Sequence, residues 1–402
     1  MTTTAPAPTA GVSRRLAAMG PAFIVAVGYV DPGNWGTDIA AGAEYGYTLL
    51  WVLVLANGIA LFLQYLSAKL GIATGSHLAE LLGARLGRTG RAIALAATAV
   101  ILLATEVAEF LGVVLALHLL LGGPLVLSIV LGVVLVLTML SVASGNRALE
   151  RGIALLLGVI AAVFVVQVWL SDPGLTPFTG LAPSLPPGAA AVAVALMGAT
   201  VMPHNLFLHS GVVHWSRPVE RSAALRSAMV CAAIALNGAL LINAAILIVA
   251  AATRSGAGVP ETIGEAALSL EPALGSFSVF AFGIGLLAAG LASTATSGIA
   301  GQFAIEGLTR FRPPLLARRC ATLVPAVLLL LVGVGEVQAL MVSQLVLGLA
   351  LPLVIFALIR LTDTASLMGE MRIRPVTRRL AYCVLGFVVI ADIRMLLDLF
   401  GG

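Results

Sequence analysis

Apolar residues in this chain run in long, nearly uncharged blocks, with no alternation of polar and apolar positions to mark solvent-facing faces. Residues 49–68, 92–121, 153–170, 228–252 and 321–334 are the clearest blocks. Several reach the roughly 20 residues that a helix needs to cross the hydrocarbon core of a bilayer. Hydropathy and helix breakers together predict eleven spans, at about 17–41, 48–69, 92–120, 124–143, 152–170, 189–213, 227–252, 274–305, 320–334, 337–359 and 380–397. The loops between them carry the charge. With the N-terminus inside, every one of the 22 basic residues except Arg254 and Arg394 falls on the inner side, as expected where cytoplasmic loops hold the Lys and Arg excess. The pattern thus predicts an all-α integral membrane protein, N-terminus cytoplasmic and C-terminus outside.

Composition sharpens this picture. The 402 residues are 60% hydrophobic and only 10% charged, with a mean hydropathy of +1.08, whereas soluble domains are about 45–50% apolar and about 25% charged. The net charge of +4 is accounted for by inner loops that meet anionic lipid, so the bilayer is the expected partner and nucleic acid is not. Residues 1–15 read as a disordered cytoplasmic tail, and the apolar stretch after them lacks the cleavage site of a signal peptide. Cys231, Cys320 and Cys383 sit in or beside apolar spans without metal-ligand spacing and read as packing residues. No Gly-rich phosphate loop and no nucleophile and base order stand in a supporting context, so neither an enzyme nor an ATP-driven pump is expected, and no bound cofactor.

Eleven spans divide as five, five and one: a first repeat over 16–170, a second over 189–360, and an extra helix over 377–399. The first span of each repeat carries the same defect. GPAFIVAVGYV is interrupted by Asp31-Pro32-Gly33-Asn34 before WGTDIAAGA resumes; AAAVAVALMGATV is interrupted at Met202-Pro203-His204-Asn205 before LFLHSGVV. Proline deletes a helix hydrogen bond and glycine loosens the backbone, so each motif predicts a short unwound stretch. Unpaired carbonyls at membrane depth are tolerated only in protein or beside a cavity. One such proline alone reads as a kink. A matched pair points to a transporter binding site, and two repeats of five spans must be inverted relative to each other, which is the LeuT-like architecture.

The two breaks bring carboxylate (Asp31), amide (Asn34), thioether (Met202) and imidazole (His204) groups to mid-span. An ionised carboxylate at this depth marks an ion or proton route. Oxygen donors alone would suit Mg²⁺, Ca²⁺ or Na⁺; the sulfur shifts preference to softer transition ions. The carbonyls of Gly28 and Ala199, each three residues before the break, would complete a shell. Gln344 is a further polar group in an apolar span, open to either a ligand role or a helix-helix hydrogen bond. Glu106 and Glu109 share one face of the third span, and Arg318 and Arg319 open the ninth. These form either a charge relay or a static pair.

At these residues the sequence resembles the Nramp family, also called MntH or divalent metal transporters. The resemblance rests on GYVDPGNWGTDIAAGAEYGYTLLWV, TEVAEFLG, GATVMPHNLFLHS, TATSGIAGQFAIEG, the Arg pair and the later Gln, and it runs along essentially the whole chain. It implies a LeuT-like fold and proton-coupled import of Mn²⁺ and Fe²⁺, with Cd²⁺, Co²⁺ or Zn²⁺ as further substrates. It also implies that Asp31, Asn34 and Met202 are metal ligands, that Gly28 and Ala199 give carbonyl donors, and that Gln344 is a state-dependent ligand. His204, Glu106, Glu109, Arg318 and Arg319, with Asp31, fall on positions tied to proton movement. Relatives that carry Mg²⁺ or Al³⁺ lack the methionine. Two departures are Gly28, often Ala in relatives, and Glu106, often Asp.

The expectation is therefore a monomeric carrier in a bacterial inner membrane that moves a metal ion inward as protons follow. Two alternatives stay open at this point: a Na⁺-coupled amino-acid carrier on the same fold, and a membrane metal sensor that transports nothing.

Overall fold

The computed structural model describes residues 29–142, 173–215, 220–253, 277–309 and 314–400, with parts of 158–171 and 260–268 and residues 311–312. Gly28, the tail over 1–15, the first part of the first predicted span and most of the fifth lie outside the described residues. The described part is helical. Its helices include α1 (Pro32–Tyr45), α2 (Leu50–Thr74), α3 (Leu78–Arg85), α4 (Arg88–Leu121), α5 (Leu125–Val142), α6 (Ala190–Val201), α7 (Pro203–Trp215), α8 (Arg221–Ala252), α9 (Ile263–Leu268), α10 (Phe277–Thr309), α11 (Leu315–Val332), α12 (Glu336–Thr362) and α13 (Pro375–Phe400).

Among the described residues, seven helical runs are long and apolar enough to cross a bilayer, with α1 and α2 counted together as one run and α6 with most of α7 as another. Several helices outrun the apolar windows that predict them. α4 begins at Arg88, α8 at Arg221 and α13 at Pro375, ahead of the expected starts at 92, 227 and 380. The added turns carry arginines, whose long side chains reach back to the interface while the backbone keeps its helical bonds. At 34 residues, α4 is about 50 Å long, well beyond a hydrocarbon core of roughly 30 Å. Its N-terminal end is tied to α3 by Arg91, which donates to the Gly83 carbonyl at 2.6 Å. Its C-terminal end stops at Gly122, whose φ of 62° lies in the left-handed region that side chains resist.

The core is built around the broken helices. α6 buries every residue but Ala191, so it has no polar face at all, the pattern of a helix enclosed by protein on every side. α1 is likewise buried from Pro32 to Ala43. Trp35 anchors it in an aromatic cluster, edge-on to Phe164 at 5.3 Å and Phe282 at 4.8 Å. By contrast, α13 buries only Ala381, Val388, Asp392 and Met395 and leaves residues such as Ile390, Leu397 and Phe400 exposed. It packs on α6 and α12 from outside, as expected of a peripheral, lipid-facing helix.

Lipid tails are as apolar as leucine, so these helices are held by close packing at small residues, not by water exclusion. Gly198 of α6 lies against the backbone of α12 at Gln344 and Gly348, Gly83 of α3 against Gly307 of α10, and Gly71 of α2 against Ser210 of α7. A methyl group at any of them would meet backbone atoms that cannot move aside.

Glycine at positions 71 and 58 of the same helix should therefore behave in opposite ways. Gly71→Ala, against the Ser210 carbonyl, is expected to lose about 1–3 kcal/mol of stability. Gly58→Ala, with open space around it, is expected to gain up to about 1 kcal/mol from helix propensity. Thermal unfolding in detergent measures both, and equal shifts would refute this packing account.

Candidate metal centre at two broken helices

Both breaks follow one local plan. α6 ends at Val201, and Met202 then turns with φ 48° and ψ 89° before Pro203 begins α7. Among the described residues, Met202 is the one non-glycine with positive φ, a conformation that costs about 1–3 kcal/mol and persists where its surroundings enforce it. Its N–H still donates to the Gly198 carbonyl at 3.1 Å, and its own carbonyl accepts from the Asn205 N–H at 3.0 Å. The next carbonyl, that of Ala199, would have bonded to the nitrogen of residue 203. That residue is proline and has no N–H, so the Ala199 carbonyl loses its helical donor.

At the other break, Asp31 is the extended cap (φ −113°, ψ 141°) and Pro32 the first residue of α1. The Asp31 carbonyl accepts from the Asn34 N–H at 3.0 Å, and its carboxylate caps the Gly33 N–H at 3.0 Å. Each half-helix thus starts with a side chain able to bind an ion, then proline, then a residue that differs between the two breaks (Gly33 and His204), then asparagine. Proline suits a first helical position because the N–H it lacks would be unpaired anyway.

Around Asp31, which is buried, three helices converge. Ser293 of α10 lies 3.0 Å from one carboxylate oxygen, and the Gln344 amide of α12 donates to the other at 3.4 Å. Gly33 permits that approach: a Cβ there would fall 2.7 Å from the carboxylate and collide with the Gln344 amide group. Asn34 donates its amide N–H to the Tyr29 carbonyl at 3.3 Å. The Asn34 and Gln344 side-chain oxygens, both buried, find no donor among the described residues. Acceptors buried without a donor are costly, and a cation beside a carboxylate would satisfy them. Among the described residues no three His, Cys, Asp or Glu side chains come together as a metal cluster. Any ion held beside Asp31 would depend on mixed donors, with the Asn34 and Gln344 amide oxygens joining the carboxylate.

A continuous polar chain leads away from Asp31. Ser293 Oγ is also 2.7 Å from Glu109. Its hydroxyl carries one hydrogen, so it can donate to only one of the two acids, and a proton on either acid makes both contacts favourable. Glu109 accepts from Ser297 at 2.7 Å and lies 3.8 Å from Arg319. Arg319, itself buried, pairs with Glu106 and donates to the Thr294 carbonyl. Thr322 closes the chain on Glu106 at 3.2 Å.

Of the residues expected from sequence, Asp31 and Gln344 meet directly, and Glu106 and Glu109 share Arg319. Arg318 does not join them by hydrogen bond: it turns to the Gly298 carbonyl at 2.6 Å. His204 contacts Thr105 at 3.1 Å, one residue before Glu106, and no carboxylate. Gly28 lies outside the described residues. Ser293 and Ser297 were not expected. Their sequence signals are the spacing of four within LASTATSG, which places both on one face of α10, and, for Ser297, its place in the TATSG segment of the resemblance.

A family model for natural resistance-associated macrophage protein-like (Nramp) proteins matches residues 22–398. This chain belongs to the Nramp family. It is 38% identical over 394 residues to the divalent metal cation transporter MntH of Pectobacterium carotovorum subsp. carotovorum, covering 96% of each chain. The crystal structure of the Eremococcus coleocola manganese transporter superimposes with a TM-score of 0.80 at 32% identity, over 100% of this chain and 90% of that one. Mhp1, a nucleobase-cation-symport-1 family transporter, aligns at TM-score 0.58 and 17% identity over 94% of this chain and 91% of its own, a likeness of fold alone. The fold of this Nramp chain is LeuT-like.

Because one guanidinium faces two buried acids, its loss should be severe. Arg319→Gln is expected to cost about 3–5 kcal/mol, since it strands buried charge. Adding Glu106→Gln should restore part of that stability. Detergent melting curves of the single and double variants check this, and a double variant no better than the single would contradict the pairing.

Proposed function

We propose that this protein is a secondary transporter that imports divalent transition metal ions, Mn²⁺ and Fe²⁺ first, in exchange for no chemical energy beyond the ion gradients, with protons moving in the same direction. The observation that carries the reading is the buried Asp31 carboxylate at a helix break, next to Asn34 and Gln344 oxygens that find no donor among the described residues. The names of the relatives, divalent metal cation transporter and manganese transporter, support the substrate class. In this reading Asp31, Asn34, Met202, the carbonyls of Gly28 and Ala199, and Gln344 in one state take the ion as it sheds water. Mn²⁺ gains from sulfur where Mg²⁺ and Ca²⁺ do not, so Met202 sets the preference.

Metal on Asp31 favours its carboxylate form. The released proton passes through Ser293 to Glu109 and on to the Arg319 and Glu106 pair, with His204 at its side. Rocking of the helices around the fixed site then opens it inward. The protein sits as a monomer in an inner membrane with its N-terminus cytoplasmic and C-terminus outside, the two five-helix repeats over 16–170 and 189–360 inverted and the helix over 377–399 added. The distribution of basic residues supports the orientation.

Mn²⁺ uptake into proteoliposomes carrying an interior pH dye tests the proposal. Saturable uptake with acidification is expected, abolished by Asp31→Ala. Met202→Ala should keep Mn²⁺ uptake but make it sensitive to excess Mg²⁺ or Ca²⁺. Folded protein that moves no Mn²⁺, or moves it without response to a pH gradient, would reject metal import or its coupling respectively.

A further inference from the structure

Asn205 is not among the groups given a role above, yet it holds Met202 by two separate contacts. Its backbone N–H donates to the Met202 carbonyl at 3.0 Å, and its side-chain amide donates to the Met202 sulfur at 3.2 Å. Both residues are buried, Met202 fully and Asn205 to 3% exposure. Asn205 is the third residue of α7 and Met202 its cap. In a soluble helix the side chain at this third position often reaches back to the cap residue's N–H. Here that N–H is already committed to the Gly198 carbonyl, and the amide reaches the sulfur instead.

We propose that Asn205 is a positioning residue for metal selectivity, which fixes the Met202 thioether for a soft divalent ion. This rests on Met202 being a metal ligand. The argument follows from the side chain. Methionine is unbranched with three rotatable bonds, so a free thioether would lose rotamer entropy each time it bound an ion. A thioether sulfur has two lone pairs. The Asn205 N–H takes one, which fixes the direction of the other, and the left-handed backbone of Met202 is held by the same residue's main-chain bond. The ordering cost is met before the ion arrives. Neighbours that orient metal ligands in this way change affinity by roughly 10–100-fold when lost.

The matching position at the other break shares the main-chain contact but not the side-chain one. Asn34 stands there, and its N–H likewise closes on the Asp31 carbonyl at 3.0 Å. Its side chain turns to the Tyr29 carbonyl, because Asp31 is held by Gly33, Ser293 and Gln344. Met202 has its sulfur contact from Asn205.

The sulfur matters more to Cd²⁺ than to Mn²⁺, so the ratio of the two affinities reads its placement. Binding of Cd²⁺ and Mn²⁺ to purified full-length protein, by calorimetry, would be compared in the unmodified chain, Asn205→Leu, Met202→Ala and the double variant. Asn205→Leu should weaken Cd²⁺ roughly tenfold or more, with a smaller change for Mn²⁺, and should change nothing further in the Met202→Ala background. Asn205→Thr makes the same comparison if the leucine variant does not fold. An unchanged Cd²⁺ to Mn²⁺ ratio in Asn205→Leu, or an equal loss with and without Met202, would overturn the proposal. If Met202→Ala itself leaves the ratio intact while metal still binds, the ligand role of Met202 fails first, and the role of Asn205 with it.

Discussion

The structure depends on a constraint of the bilayer: every backbone N–H and C=O at membrane depth needs a partner within the protein. Continuous, proline-free helices such as α4 and α8 meet it with their own bonds. The broken pair does not. Pro203 cannot donate to the Ala199 carbonyl, and Pro32 likewise has no N–H to give. Local bonds limit the damage at each break: the cap carbonyl accepts from an asparagine N–H three residues on, and proline occupies the position where a missing N–H costs least. What remains, among the described residues, are the Asn34 and Gln344 oxygens with no donor and one sulfur whose direction Asn205 fixes. A cation is the partner that satisfies such a set.

Charge follows the same economy. Asp31, Glu109 and Glu106 are all buried, and a single buried guanidinium, Arg319, faces the latter two. The helix between them, α10, contributes no charge along this stretch, only hydroxyls and carbonyls from Ser293, Thr294 and Ser297. Those groups can pass hydrogen bonds in either direction, because a hydroxyl both donates and accepts. An arrangement with fixed ion pairs throughout would be more rigid. One built on hydroxyls lets the charge on Asp31 be sensed at Glu109 without a direct contact between two acids. Glycine at the crossings of α2 with α7, α3 with α10 and α6 with α12 lets these backbones approach to contact distance.

Much of this was legible in the chain. Long apolar blocks and the placement of arginine made it a membrane protein, because the bilayer tolerates few other patterns. The paired DPGN and MPHN motifs marked the breaks, since proline acts through its own covalent geometry and needs no partner to do so. The helix ends were less legible, as at Arg88 and Arg221, because helical bonding continues past the edge of the apolar window. The two arginines of the ninth span were indistinguishable as neighbours in sequence, and only the packing of α11 turns Arg319 to the acids and Arg318 to a carbonyl.

Sequence alone determined the class, the interrupted helices and the donor types at each break, because these are properties of single residues and their near neighbours. The meeting of Asp31 with Gln344, 313 positions away in the chain, and the bridge that Ser293 makes to Glu109 were decided by tertiary structure. A serine in an apolar helix has no distinct signature until the helix is turned to face a carboxylate. The hold of Asn205 on the Met202 sulfur was decided there too: the third position of α7 is readable from sequence, but its target depends on which N–H groups the surrounding backbone has already used.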